Sequence, residues 1–266
     1  RPRIAASSYL NSVPLIWSFM RGAQQSCVEL ITDAAPARCA DLLAHAAVDA
    51  ALVPVIEYQR IPEILIVPEV CVGARHIVRS VRIATRGAEL KDARTVALDT
   101  SSRTSAALTQ IIFREFLGRV PQFTPCEPDL NRMLDAHDAA LIIGDPGMTF
   151  EGEGLRIFDV ASLWREFTGL SFVFAMWMAR EGVQDKIRKV DFAGARDEGL
   201  AQVEVIAAQY EDLLNLPRRE LCAYLLENIC YELDDEMRTG LELFYKLAYK
   251  HNLIPSRRPL RMLGTL

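Results

Sequence analysis

Asn11 stands among hydroxyl side chains in the run Ser8-Tyr9-Leu10-Asn11-Ser12-Val13-Pro14-Leu15, between a short apolar stretch starting at Ile4 and a proline placed to open a helix. A parallel sheet presents its ligand-facing groups at such a strand-to-helix junction, so Ser8, Asn11 and Ser12 can offer neutral hydrogen bonds to a small polar molecule. A metal ion or a phosphate would call for different side chains. A second cluster, Asp99-Thr100-Ser101-Ser102-Arg103-Thr104-Ser105, places hydroxyls where a strand turns into a helix. Exposed backbone N–H groups at a helix start favour an anion, and hydroxyls beside them suit a carboxylate. Capping alone would need only one of these groups, so Ser101, Ser102, Thr104 and Ser105 are binding candidates. A third stretch, Ile142-Ile143-Gly144-Asp145-Pro146-Gly147, ends a strand on a glycine and a carboxylate. Gly144 would let backbone approach a ligand closely; Asp145 can act on a substrate or can bond turn amides. Glu57 reads equally well as a structural ion-pair partner.

Other chemistries lack their residues. The four histidines (45, 76, 137 and 251) are scattered, with no His-x-x-x-His and no carboxylate set at metal-ligand spacing. No Gly-x-Gly-x-x-Gly opens a helix, no lysine-bearing phosphate loop occurs, and no Gly-x-Ser-x-Gly elbow is present. A metal, dinucleotide, nucleoside triphosphate or serine-hydrolase site is therefore not expected, and neither is a cofactor. The net charge of −5 gives no electrostatic case for nucleic acid or an anionic membrane. The longest apolar run, 172–179, falls well short of the ~18 residues of a membrane span. No positively charged segment followed by an apolar run opens the residues given. The six cysteines form no Cys-x-x-Cys pair and lie in or beside apolar stretches, as buried reduced thiols would. A cytoplasmic protein is the expectation.

These groups need elements to position them. Residues 4–7 read as a strand, 13–21 as a helix with Ser12 as N-cap, 36–47 as a second helix, and 50–55 as a buried strand. Residues 64–67 and 70–72 suggest a further strand broken by Pro68. A second unit follows, with strand 95–99, helix 101–117 closed by Gly118, and strand 139–143. This βαβ rhythm implies an α/β fold with parallel strands and right-handed crossovers. The apolar runs 81–86 and 172–179 are expected to pass between two such halves, making a hinged clam-shell with its cleft at the carboxyl ends of both sheets. The division would be 1–84 plus 178–266 as a first lobe and 85–177 as a second. Ser80, just before the first passage, would border the cleft or lie on the surface. The last third reads as helices 192–214, 218–229 and 236–253, packed on the first lobe.

The motifs Ser8-Tyr9-Leu10-Asn11-x-x-Pro14-Leu15, Asp99 to Ser105, Ile143-Gly144-Asp145 and Trp164-x-x-x-Thr168-Gly169-Leu170-x-Phe172-Val173-Phe174-Ala175-x-Trp177 occur in this order. Together they resemble the chorismate dehydratase family of the futalosine route to menaquinone. The resemblance spans residues 7–177, with one departure at Ser171, where a proline is expected. It implies a two-lobed fold like the type II periplasmic binding proteins, with a helical carboxyl-terminal tail and no cofactor. It also brings Thr168 and Gly169 in as substrate-binding candidates.

The implied reaction converts chorismate to 3-[(1-carboxyvinyl)oxy]benzoate and water. The proton at C3 is acidified through the diene by the ring carboxylate, and loss of the C4 hydroxyl makes the ring aromatic. The protein would hold two carboxylates, stabilise delocalised charge and exclude water. The base is either Asp145 or, preferably, the substrate's own enolpyruvyl carboxylate, with Asn11 orienting a carboxylate or the departing hydroxyl. The competing expectation is a non-catalytic solute-binding protein of the same fold for a small carboxylate, because fold alone fixes no function. Oligomeric state has no sequence signal here.

Overall fold

The computed structural model describes residues 1–264. In the first half the chain forms β1 (Arg3–Ser7), α1 (Val13–Arg21), β2 (Glu29–Asp33), α2 (Pro36–Ala44), β3 (Ala50–Pro54) and β4 (Ile64–Ala74). It then builds β5 (Val81–Thr85), β6 (Thr95–Asp99), α3 (Arg103–Ile111), β7 (Gln122–Cys126), α4 (Leu130–Ala136), β8 (Ala139–Ile143), α5 (Gly144–Thr149), β9 (Arg156–Asp159) and α6 (Val160–Thr168). The chain returns through β10 (Phe172–Arg180) and ends in α7 (Gln184–Ile187), α8 (Phe192–Leu200), α9 (Val203–Leu214), α10 (Arg218–Ala223) and α11 (Asp235–Lys250).

Two five-stranded sheets result, ordered β2-β1-β3-β10-β4 and β7-β6-β8-β5-β9. In each, four strands run in one direction and one runs against them: β10, between β3 and β4, in the first sheet, and β5, between β8 and β9, in the second. The central strands are buried along their length, Ala50–Pro54 and Ala139–Ile143 completely so. Helices covering both faces leave no solvent-facing side, hence these apolar runs without alternation.

Both runs expected to pass between lobes belong instead to a single sheet each. β5 pairs with β8 and β9, and β10 with β3 and β4. A strand hydrogen-bonded along both edges cannot also be a hinge. The chain crosses at 75–80, after β4, and again at 169–171, after α6. Pro68 does not break its strand either. It sits with Glu69, at φ +66°, on the half-exposed stretch of a continuous β4 that meets β10 with two register shifts. A bulge absorbs the missing N–H.

Ser12 is not a side-chain cap. The turn Leu10–Ser12 is 3-10 helical, and the Ser12 hydroxyl faces Ser7 and Asn11 instead of the helix. Ser102 does cap α3, accepting from the Ser105 N–H at 3.4 Å. The expected helix 192–214 is two, α8 and α9, and helix 218–229 is α10 running into a π turn at Tyr224–Asn228.

The tail packs on the first sheet, as expected. Phe19, Trp177 and Phe192 bring α1, β10 and α8 together, with Phe19 edge-on to Trp177 at 6.3 Å and Trp177 4.9 Å from Phe192. Phe172 joins Trp164 and Phe244 at 5.3 and 5.2 Å, tying α6 and α11 to β10. All six cysteines are free thiols; Cys39, Cys71 and Cys222 are buried as expected, while Cys27 is exposed. Burial pushes the Cys39 thiol up to about 12, the behaviour of an inert core sulfur. No described helix is long and apolar enough to cross a membrane.

Candidate active site

The carboxyl ends of β1, β3, β6 and β8 converge on a cleft between the two sheets. Its free space is about 40 Å³, room for a few water molecules, so the two sheets stand nearly closed on each other. The first half contributes Ser7, Tyr9, Asn11 and Ser12, with Phe174 from β10; the second contributes Ser102, Ser105 and Gly144. Apolar side chains such as Leu52, Val72, Val78 and Val81 fill the remaining wall, and among the described residues no charged side chain lines it. Its polar groups are hydroxyls, one amide and the start of α3.

These groups are already organised. The Ser7 and Ser12 hydroxyls lie 3.0 Å apart, and Ser12 Oγ donates to Asn11 Oδ1 at 3.2 Å. Across the cleft the Ser102 and Ser105 hydroxyls lie 3.2 Å apart at the first turn of α3. Asp99 holds the junction from behind, accepting from the Ser101 N–H at 2.8 Å and the Ile143 N–H at 3.0 Å. One carboxylate thus fixes the ends of both β6 and β8.

The two halves touch. Leu10 N–H donates to Asp145 Oδ1 at 3.0 Å, Ala37 N–H to the Ser101 carbonyl at 3.1 Å, and Ile56 N–H to Thr104 Oγ1 at 3.1 Å. Arg103 reaches Asp41 at 2.8 Å and Glu57 at 3.4 Å. Tyr9 lies over Gly144. Gly144 is required there twice over: its φ is +68°, and a Cβ would lie 2.5 Å from the Tyr9 ring.

Of the residues expected at the site, Asn11, Ser12, Ser102, Ser105 and Gly144 line the cleft. Ser101 sits at its edge, buried beside Tyr9. Ser80 is buried outside the lining, bonded to the Tyr224 hydroxyl at 2.7 Å. Ser8 is exposed and joined to its neighbours through its backbone: the N–H donates to Asp33, and the carbonyl accepts from Tyr210. Thr104 is wholly buried on Ile56. Thr168 bonds the Trp164 carbonyl at 2.7 Å, and Gly169 closes α6 at φ +72°, both away from the cleft. Glu57 is an ion-pair partner of Arg60 and Arg103. Ser7, Tyr9, Pro36 and Phe174 were not expected. Ser7 is the last residue of β1, one position from Ser8, and side chains alternate faces along a strand; Tyr9 and Phe174 lie inside two of the motifs already quoted, and Pro36 carries no local signal.

Asp145 lies outside the lining. Burial pushes its carboxyl from an ordinary 3.8 up to about 6, against the opposing pull of the Leu10 N–H. The fold therefore favours the protonated acid, a contribution complete below about pH 3.8 and lost as pH rises through about 6. Asp145→Asn keeps an oxygen for Leu10 and carries no charge. Going from about pH 5 to about pH 7, the wild-type melting temperature should fall relative to that of the variant. A difference that stayed constant across this interval would show that Asp145 does not titrate there.

Residues 2–250 match a family described as menaquinone biosynthesis. The chain belongs to that family. A curated relative, chorismate dehydratase of Thermus thermophilus, is 31% identical over 234 residues, 80% of this chain and 84% of the relative. The fold is that of the periplasmic binding proteins. The periplasmic aliphatic sulphonate binding protein of Escherichia coli aligns at TM-score 0.64 and 14% identity, over 100% of this chain and 94% of its own. The alkanesulfonate-binding protein of Xanthomonas axonopodis pv. citri, bound to MOPS, aligns at 0.66 and 13%, over 96% and 94%. A protein of Archaeoglobus fulgidus reaches 0.71 at 15%, over 95% and 98%. At these identities the solved structures speak for the fold alone.

Proposed function

We propose that this protein removes water from chorismate to give 3-[(1-carboxyvinyl)oxy]benzoate, as a cytoplasmic carbon–oxygen lyase of menaquinone synthesis. The observation that carries this reading is the 31% identity to a chorismate dehydratase over 80% of the chain. The cleft supports it chemically. Two sheets supply hydroxyls, an amide and helix N–H groups at opposite walls, and apolar side chains surround them. A substrate with two carboxylates can be held at both walls by neutral donors, and a dry surround strengthens each of those bonds.

In this reading Ser102, Ser105 and the first turn of α3 hold one carboxylate. Asn11 faces the reacting side of the ring. The C3–H bond breaks and its electron pair enters the diene conjugated to the ring carboxylate. The C4–O bond then breaks, and the departing hydroxide takes a proton to leave as water. Asp145 is bonded to Leu10 outside the lining, which favours the substrate's enolpyruvyl carboxylate as base and gives Asp145 a part in holding the halves together. Opening about 75–80 and 169–171, with each sheet moving as a lobe, would admit the substrate.

The test is the product. Incubation with chorismate should yield a compound lighter by one water, with an aromatic ring, by mass and ultraviolet spectrum. Chorismate bound but recovered unchanged would assign the protein to the solute-binding class instead.

A further inference from the structure

Asp145 takes no part in the proposed proton transfer, yet it binds the residue next to Asn11. The turn that carries Asn11, Leu10–Ser12, is 3-10 helical and runs straight into α1. Such a start leaves backbone N–H groups without partners, and a side chain at the cap position ordinarily accepts from one of them. Tyr9 and Ser12 stand at the two cap positions, and neither side chain does so. The turn's own backbone supplies one bond, from the Ser12 N–H to the Tyr9 carbonyl at 2.8 Å. The missing cap comes from the other half of the molecule. Asp145, in the first turn of α5, accepts from the Leu10 N–H at 3.0 Å, 135 positions away in the chain.

The same two segments meet again one residue back. The Tyr9 ring lies so close to Gly144 that a Cβ there would stand 2.5 Å from it. Tyr9 and Leu10 of the first half therefore dock on Gly144 and Asp145 of the second, residue against residue. Leu10 is fully buried, and Asn11, next in the chain, lines the cleft. The far end of the amide is set locally, by the Ser12 hydroxyl on Asn11 Oδ1 at 3.2 Å.

We infer that Asp145 is a positioning residue: a cap supplied across the cleft, it fixes the Leu10–Ser12 turn, and with it the Asn11 amide, when the sheets are closed. Docking of the halves and placement of the amide are then one event, and the donor is in place only once water has been shut out. The role needs an acceptor oxygen and no proton transfer, which separates it from that of a base. A carboxylate, a carboxylic acid and an asparagine amide all supply such an oxygen. The inference deepens the dehydratase reading and rests on it for its kinetic consequences, but not for its structural ones.

The experiment compares Asp145→Asn, Asp145→Ala, Asn11→Ala and the double variant of Asn11→Ala with Asp145→Ala. Asp145→Ala should lower kcat by about 10- to 100-fold, the scale for a reacting geometry displaced by about an ångström. Asp145→Asn should keep kcat within about threefold of wild type, because the acceptor oxygen remains. In the Asn11→Ala background, Asp145→Ala should change kcat by less than about twofold, since no amide is left to place. A kcat lost in both Asp145 variants would make Asp145 the base and overturn the inference. A kcat kept in both, or an equal fall in the two Asn11 backgrounds, would overturn it as well.

A second readout needs no substrate. The Leu10 amide should be protected from hydrogen exchange in the wild type and in Asp145→Asn, and should lose that protection in Asp145→Ala below its melting transition. The Asn11 side-chain amide pair, identified in a 15N spectrum by its loss in Asn11→Ala, should shift in Asp145→Ala. A Leu10 amide that exchanged freely in the wild type, or as slowly in Asp145→Ala, would overturn the inference, and so would an unmoved Asn11 pair. If the wild type leaves chorismate unchanged, the dehydratase reading falls alone and these two amides decide the inference.

Discussion

Asn11→Ala should lower turnover by about 10²-fold or more, the scale for losing one preorganised donor in a dry site. The side chain lines the cleft at the junction of β1 and α1, and the Ser12 hydroxyl holds its amide oxygen. A group restrained in that way needs no reorganisation when charge develops on a carboxylate or on the departing hydroxyl. The same restraint implies a stability cost for the substitution. The lost bond from Ser12 contributes about 1 kcal/mol net, so the melting temperature should fall by about 2–4 °C in a chain of this length. Turnover measured well below that temperature separates the two effects. Near wild-type turnover would reduce Asn11 to a residue that shapes the entry to α1.

Ser102→Ala with Ser105→Ala should act chiefly on substrate affinity. Their hydroxyls lie 3.2 Å apart on the cleft wall at the amino end of α3, where carboxylate charge is favoured. Hydrogen bonds to charged groups are worth about 1.5–3 kcal/mol each, so the double variant should raise KM by about 10²-fold or more, with kcat much less affected. Ser102 also caps α3, and its loss alone should cost about 1 kcal/mol of stability. A lower melting temperature with KM unchanged would make the pair a cap and nothing more.

Much of this was legible in the chain because it is local. α1 and β8 coincide with the expected 13–21 and 139–143, the first bounded by Pro14 and Gly22, the second an unbroken apolar run. β2, β7 and β9 escaped notice. They are short edge strands of mixed, half-exposed residues, Pro125 among them, without a period that stands out from a loop. The passages between sheets were placed wrongly because a strand buried on both faces and a segment running between lobes share one signal, a short apolar run. Only the pairing partners tell them apart, and those are distant in sequence.

The site divides along the same line. Asn11, Ser102, Ser105 and Gly144 belong to contiguous motifs at strand-to-helix junctions and do line the cleft. Thr104 belongs to such a motif too, but on a helix successive side chains point different ways, and Thr104 faces Ile56. Thr168 and Gly169 came from the resemblance, and here they close a helix next to the second passage.

The central claim, that a cleft of neutral donors dehydrates chorismate, meets its most direct test in a turnover count. Chorismate in large molar excess over the protein is followed by loss of its diene absorbance. The account predicts that the absorbance disappears completely, many molecules of aromatic product forming per protein molecule, and that the rate collapses in Asn11→Ala. Diene absorbance that persisted after saturation of the protein, or that fell equally fast with Asn11→Ala, would contradict it.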